Sequence, residues 1–377
     1  MRTRLLLAGL LLALSGCGTV GGWFGAGKPK PAPLVELQPS VALDEVWKAS
    51  VGSTAGAPLH PLADGDDVYV AGGDRLLRLA VASGKPVWRA ETGVKATAGP
   101  GFADGQMWIG GGQGELVAYD AATGAQRWKT GLSSEVTGAL LAVGDTLIAR
   151  TGDGRLHGIA TADGRRKWLY THTLPALALR GSGGMIVRGD TLYAGFPGGK
   201  LAALNPANGA LLWEATVALP RGATELERVA DLMGPPVADE RLVCAVAYQG
   251  RVACFDRRNG APVWARDTSS HTGLAMDERH VYVTDDKDAV TAYDKLTGRA
   301  VWRQDKLARR NVSAPLAFDD HVVVADAQGY VHVLASEDGR FVARAKVGDA
   351  VRARPVDIGP GFAVQTVDGA VVAFRIR

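Results

Sequence analysis

Cysteine is scarce in this chain: Cys17, Cys244 and Cys254 are the only three among 377 residues, and no two are adjacent. None stands in a Cys–His arrangement of the protease kind, and no G-x-S-x-G elbow occurs, so the common nucleophile geometries are missing. Histidine is thin as well. His60, His157, His172, His271, His280, His321 and His332 are scattered with no H-x-H or H-x-x-x-H pair, which removes the usual metal-ligand spacings. Asp285-Asp286-Lys287-Asp288 lacks the extended spacing of a calcium loop and reads as a solvated turn. Gly110-Gly111-Gly112-Gln113-Gly114 precedes a strand-like run rather than a helix, so it reads as a hairpin turn and not as a phosphate cradle. No catalytic residue, metal site or cofactor is expected from any of these.

Charge of one sign is lacking too. Forty-two Lys and Arg stand against 39 Asp and Glu, and the formal +3 falls to +1 once Arg2 and Arg4 are set aside with a leader. A nearly neutral body gives no electrostatic case for nucleic acid. Long apolar runs are also missing. The run at residues 5–14 follows Arg2 and Arg4 and ends at small residues, the pattern of a secretory signal and too short for a membrane span.

What the chain has in quantity is a repeat. Ala118 to Trp128 reads A-x-D-x-x-T-G-x-x-x-W, and Ala292 to Trp302 repeats it at every fixed position. Weaker copies end at Trp88, Trp168, Trp213 and Trp264, with gaps of 40, 40, 45, 51 and 38 residues along the series. A period in this range with several short β-like runs per repeat means a propeller or solenoid, and four such runs per repeat make a propeller blade. The motif residues have mechanical roles. Asp120 and Asp294 can accept from backbone N–H groups at a tight turn, Gly124 and Gly298 can take φ > 0, and each Trp can pack between blades.

The ends set the blade count. A seventh repeat runs from Ala314, with Ala343 where Trp is expected, and three further strand-like runs follow it. The fourth strand for that last blade is found at the other end, at residues 43–48, where Trp47 lies 41 residues before Trp88. The expectation is an all-β, eight-bladed propeller of four-stranded antiparallel blades over residues 41–377, closed by the N-terminal strand, with roughly 42 residues per blade.

In front of it, residues 1–16 are expected to be a signal peptide. Leu14-Ser15-Gly16-Cys17 resembles the lipobox of bacterial lipoproteins, with an ordinary leader and a chance cysteine as the alternative. The resemblance implies acylation of Cys17, and Gly18 after it implies sorting to the outer membrane, facing the periplasm. Residues 17–40, rich in Gly and Pro, read as a flexible tether with a reach of roughly 26 Å. Cys244 and Cys254 flank a hairpin centred on Gln249; a cross-strand disulfide and two buried free thiols both fit that placement.

The A-x-D-x-x-T-G-x-x-x-W motif resembles the tryptophan-docking motif of quinoprotein dehydrogenases, which bind pyrroloquinoline quinone and Ca²⁺. Those enzymes carry adjacent bonded cysteines, which this chain lacks. A periplasmic quinone-dependent oxidoreductase is therefore the alternative reading. The shorter length and the lipoprotein front resemble instead the BamB family, non-enzymatic scaffold lipoproteins of the outer-membrane β-barrel assembly (BAM) complex. Leu177-Ala178-Leu179-Arg180-Gly181 resembles that family's L-x-L-R-G segment, and Thr224 to Asp231 resembles its T-E-x-x-R-x-x-D segment. The resemblance implies that Leu177, Leu179, Arg180 and Asp231 contact the periplasmic (POTRA) domains of the barrel subunit BamA. Met233 stands where the family has a second aspartate. It also implies help in delivering unfolded outer-membrane proteins, with transient pairing of a client strand to a blade edge as one route. Two leucines beside an arginine have the composition of an interface centre, and inward-pointing strand leucines are the other reading.

Overall fold

The structure, a computed structural model, describes residues 30–179 and 183–377. Among these residues it is all β, and its strands fall into eight blades of four antiparallel strands, blades 2 and 3 being joined at their first strands by one parallel bridge, Gly138 to Ala98. Blades 1 to 7 are consecutive in the chain, at residues 62–91, 96–131, 136–171, 185–216, 237–267, 273–304 and 316–346. Blade 8 takes three strands from residues 356–376 and its outer strand from Leu43–Ser50. That strand pairs antiparallel with Ala370–Ile376, from Leu43 opposite Ile376 to Ser50 opposite Ala370. The ring is thus closed by the N-terminal strand.

Position within a blade explains strand composition. A middle strand such as Asp67–Gly72 is sandwiched between neighbouring blades on both faces, so it is apolar nearly throughout and buried after its first residue. An outer strand such as Gln126–Gly131 has one free edge and alternates exposed with half-buried residues. The core is divided accordingly into slabs between blades. Tyr69 and Leu76 of blade 1, for instance, pack on Met107, Ile109 and Tyr119 of blade 2.

Seven tryptophans join blade to blade in one way. The indole N–H of Trp47, Trp88, Trp128, Trp168, Trp213, Trp264 and Trp302 each donates to a carbonyl in the strand 3–4 turn of the next blade, at 2.5–3.1 Å. The ring lies flat on the glycine of that turn. At Gly124, φ is +74° and an added Cβ would stand 2.9 Å from the Trp88 ring, so both backbone and space require glycine there. Asp120 closes the same turn by accepting from the N–H groups of Ala122 and Thr123 and from the Thr123 hydroxyl.

The eighth position explains its own exception. Blade 8 joins strands from opposite ends of the sequence, so no strand 3–4 turn exists there to receive an indole. Ala343 fills the place instead, among Phe362, Phe374, Val41 and Leu43.

Two further features concern the expectations above. Cys244 and Cys254 stand directly opposite each other on neighbouring strands of blade 5, buried, and are joined by a disulfide. Residues 30–40, expected as the end of the tether, lie against blade 7. Ala32 N donates to Ala308 O and Ser40 N to Val342 O, both at 2.9 Å. The expected signal peptide and Cys17 fall outside the described residues.

Candidate interface on the blade connections

Antiparallel strands place the blade-to-blade connections and the strand 2–3 turns at one end of the ring, and the other turns at the opposite end. The two longest connections, residues 172–184 between blades 3 and 4 and residues 217–236 between blades 4 and 5, are therefore neighbours on one face. They carry the two segments singled out from the sequence.

The first connection is pinned at its base. The His172 ring stacks on Phe196 with centroids 4.4 Å apart, and its Nε2 lies 3.2 Å from Glu214 Oε2. On the same Phe196 ring sits the Arg150 guanidinium, 4.6 Å from the centroid, donating to Gly195 O at 2.7 Å. Arg150 is fully buried, and loss of hydration pushes its pKa down to about 9. From this base Leu174 and Leu177 reach solvent, the latter 43% exposed, while Leu179 is half-buried. Arg180 lies outside the described residues.

The second connection rises as a short, self-braced turn. Thr224 and Glu227 form a reciprocal capping box: Glu227 N donates to Thr224 Oγ1, and Glu227 Oε2 accepts from the N–H groups of Thr224 and Ala223. Those backbone donors hold the Glu227 carboxyl below its ordinary pKa. Arg228 Nε donates to Gly222 O. From beneath, Gln249 at the tip of a blade 5 turn reaches the carbonyl oxygens of Leu226, Glu227 and Val229 at 3.1–3.3 Å when its amide is oriented to donate. Leu226 at the apex is 67% exposed, more than any other exposed large hydrophobic side chain described.

Asp231 is brought to the Leu179 segment, but not as a surface contact. It is fully buried, where a partner cannot reach it. One carboxylate oxygen accepts from Leu179 N at 2.6 Å and the other from Gly198 N at 3.0 Å, while its own carbonyl accepts from Tyr248 N at 2.8 Å. Asp231 thus ties together one connection and the strand 2–3 turns of blades 4 and 5. The sequence expectation of four contacting side chains becomes, among the described residues, an exposed Leu177, a half-buried Leu179 and an internal brace. Met233 is half-buried beside that brace.

Leu226, Arg150, Phe196 and His172 were missed in the sequence. Leu226 had a signal, since a capping box around a leucine in a polar stretch marks a rigid turn with an apolar tip. The stacking at the base of the first connection had none, because its members come from two blades and the connection between them. Among the described residues, no group of three or more His, Cys, Asp and Glu is placed to hold a metal ion.

Comparison with known proteins gives this arrangement a context. The family model described as outer membrane protein assembly factor BamB matches residues 74–304 and 286–377. The BamB assembly factor of Bordetella pertussis is 38% identical, covering 99% of this chain and 97% of that protein. That of Burkholderia pseudomallei is 40% identical over 92% of each. The crystal structure of BamB from Moraxella catarrhalis superposes with a TM-score of 0.82 at 26% identity, covering 89% of this chain and all of the other. Quinohemoprotein alcohol dehydrogenase from Comamonas testosteroni superposes at 0.72 with 14% identity, a likeness of fold alone.

Proposed function

The chain belongs to the BamB family of outer membrane protein assembly factors, and on that premise we propose that it docks on the periplasmic POTRA domains of BamA through its two long connections. Its work is that of a scaffold and not of an enzyme: it holds partner domains in place while outer-membrane proteins are delivered and inserted. Acylated Cys17 keeps it at the outer membrane, facing the periplasm.

The observation that carries this reading is the presentation of Leu177 and Leu226. An exposed leucine on a loose loop has many conformations to lose on binding. Here one lies between His172, stacked on Phe196, and Leu179, whose N–H is held by Asp231, and the other on a capped, undergirded turn, so little ordering remains to be done when a partner covers them. The flanking polar groups, Glu225 with Arg228 and His172 with Glu214, pair locally. They leave the leucines as the contact and form a polar rim around it.

The test is recovery of BamA with the tagged chain from outer membranes. Leu177→Asp and Leu226→Asp should each reduce recovery about tenfold or more, as loss of a central contact does, with melting temperature unchanged. Full recovery with both variants would move the docking surface elsewhere. Cys17→Ala should release the chain from membranes that lack BamA. The quinone-dependent alternative predicts cofactor absorbance after incubation with pyrroloquinoline quinone and Ca²⁺, and the scaffold reading predicts none.

A further inference from the structure

Residues 30–40 lie along the outer edge of blade 7. Ala32 meets Ala308 and Arg310, Val35 meets Arg344, and Ser40 meets Val342. Contacts that run 35 to 40 on one side and 344 to 342 on the other mean that the segment runs antiparallel to the blade's outer strand, Phe341–Lys346. Ala32, Leu34, Val35 and Leu37 are half-buried while Pro31, Pro33, Glu36 and Gln38 are exposed, so the apolar residues are the ones turned to the ring.

What grips this segment is a buried polar network. Arg310 Nε donates to Asp326 Oδ2 at 2.6 Å, and its Nη1 donates to Ala32 O at 3.0 Å. His332 Nε2 lies 2.9 Å from the same Asp326 oxygen. Arg344 Nε donates to His332 Nδ1 at 3.2 Å, and its Nη1 donates to Val35 O at 3.0 Å. Because an arginine N–H only donates, His332 Nδ1 must accept, and its one proton sits on Nε2 facing Asp326. Asp326 and His332 are fully buried and Arg310 nearly so. Each arginine therefore has one edge committed to the interior and the other to a main-chain carbonyl of the segment. Such groups are costly to bury, and the two carbonyls of the segment are the partners of Arg310 Nη1 and Arg344 Nη1, leaving only Arg344 Nη2 of these donors unpaired.

We propose that this network is a peptide-binding site for extended main chain, occupied by the chain's own residues 30–40, and that it fixes where the amino-terminal segment leaves the ring. The chemistry it selects is two main-chain carbonyls three residues apart on a segment without regular secondary structure, with the apolar side chains of Ala32, Leu34, Val35 and Leu37 partly buried beside them. Ala308 lies in the connection between blades 6 and 7, at the end of the ring that also carries Leu177 and Leu226. The chain thus departs at Lys30 from the proposed docking face. Taken with acylation of Cys17, on which only this last step rests, the anchor and the partner surface share one face. The 13 residue steps from Cys17 to Lys30 bound its distance from the lipid at roughly 45 Å.

The experiment uses the full chain carrying Cys17→Ser, so that its outcome does not depend on acylation. Hydrogen exchange should show the amides of Ala32 and Ser40 protected, and Arg344→Ala should lower that protection by about tenfold or more while the blade amides keep theirs. A nitroxide on Lys30→Cys should broaden the amides of Asn311 and Gln328 strongly and those of Asp338 and Gly339, at the far end of the same blade, weakly. Unprotected amides at Ala32 and Ser40 in the parent chain would overturn the proposal, as would broadening centred on Asp338. If Arg344→Ala fails to fold, the parent's protection and the nitroxide pattern still decide. Loss of membrane binding by Cys17→Ser alone speaks only to the anchor.

Discussion

Asp231 and Leu226 lie five residues apart in one connection and do opposite things. Asp231 is buried and accepts from two backbone N–H groups, so Asp231→Ala leaves both donors unmet in the interior. The expected cost is about 2–4 kcal/mol, read as a lower denaturation midpoint. Any fall in partner recovery would follow from the collapse of the brace, and osmolytes that restore the fold should restore the recovery. Leu226→Ala is the converse: unchanged midpoint and reduced recovery. Sequence reading found the aspartate by family pattern but not its burial, because burial here depends on Gly198 and Tyr248 arriving from two other blades.

Among elements, the outer strand with its tryptophan is the unit that holds the ring together. Trp128 packs on Gly164 and donates to Thr161 O at 2.8 Å. Trp128→Ala should cost about 3 kcal/mol, the lower end of the range for emptying an aromatic site, because the ring is partly buried. Gly164→Ala should destabilise too, since a Cβ would enter the indole from a backbone at φ +75°. The check is a pair of equilibrium unfolding curves, with Leu226→Ala as a surface control. These elements were legible because period and motif repeat the same local physics seven times. The strap at residues 30–40 was not: its prolines and short alternation look like a linker, and the groups that hold it, Arg310 and Arg344, lie some 300 residues later in the chain.

For the molecule as a whole, histidines that folding takes out of water set its response to acid: His157 and His332 are buried and His60 is half-buried. Burial lowers the His332 pKa, with Asp326 opposing and Arg344 and Arg310 reinforcing the shift. Burial also pushes His60 down to about 4, aided by Arg354, and lowers His157. In each case the unfolded chain takes up the proton first. Stability is therefore full above the ordinary histidine pKa of about 6.5 and falls as pH drops toward the folded values. Urea midpoints should be level between pH 7 and 8 and decline steadily from pH 6 to 4.5, and His60→Gln should flatten part of that decline. A midpoint that rises on acidification would remove the role assigned to these histidines.

Closure of the ring by Leu43–Ser50 also orders events in time. The strand that emerges first after the strap finds its partner, Ala370–Ile376, only when more than 300 further residues have followed it. Until then its apolar side is uncovered, and the seam between blades 8 and 1 cannot form. Local blades can assemble as they appear, whereas the last step is a single long-range pairing, the slow kind. A growing chain halted before residue 370 would hold finished blades in an open arc with an exposed strand at its leading edge.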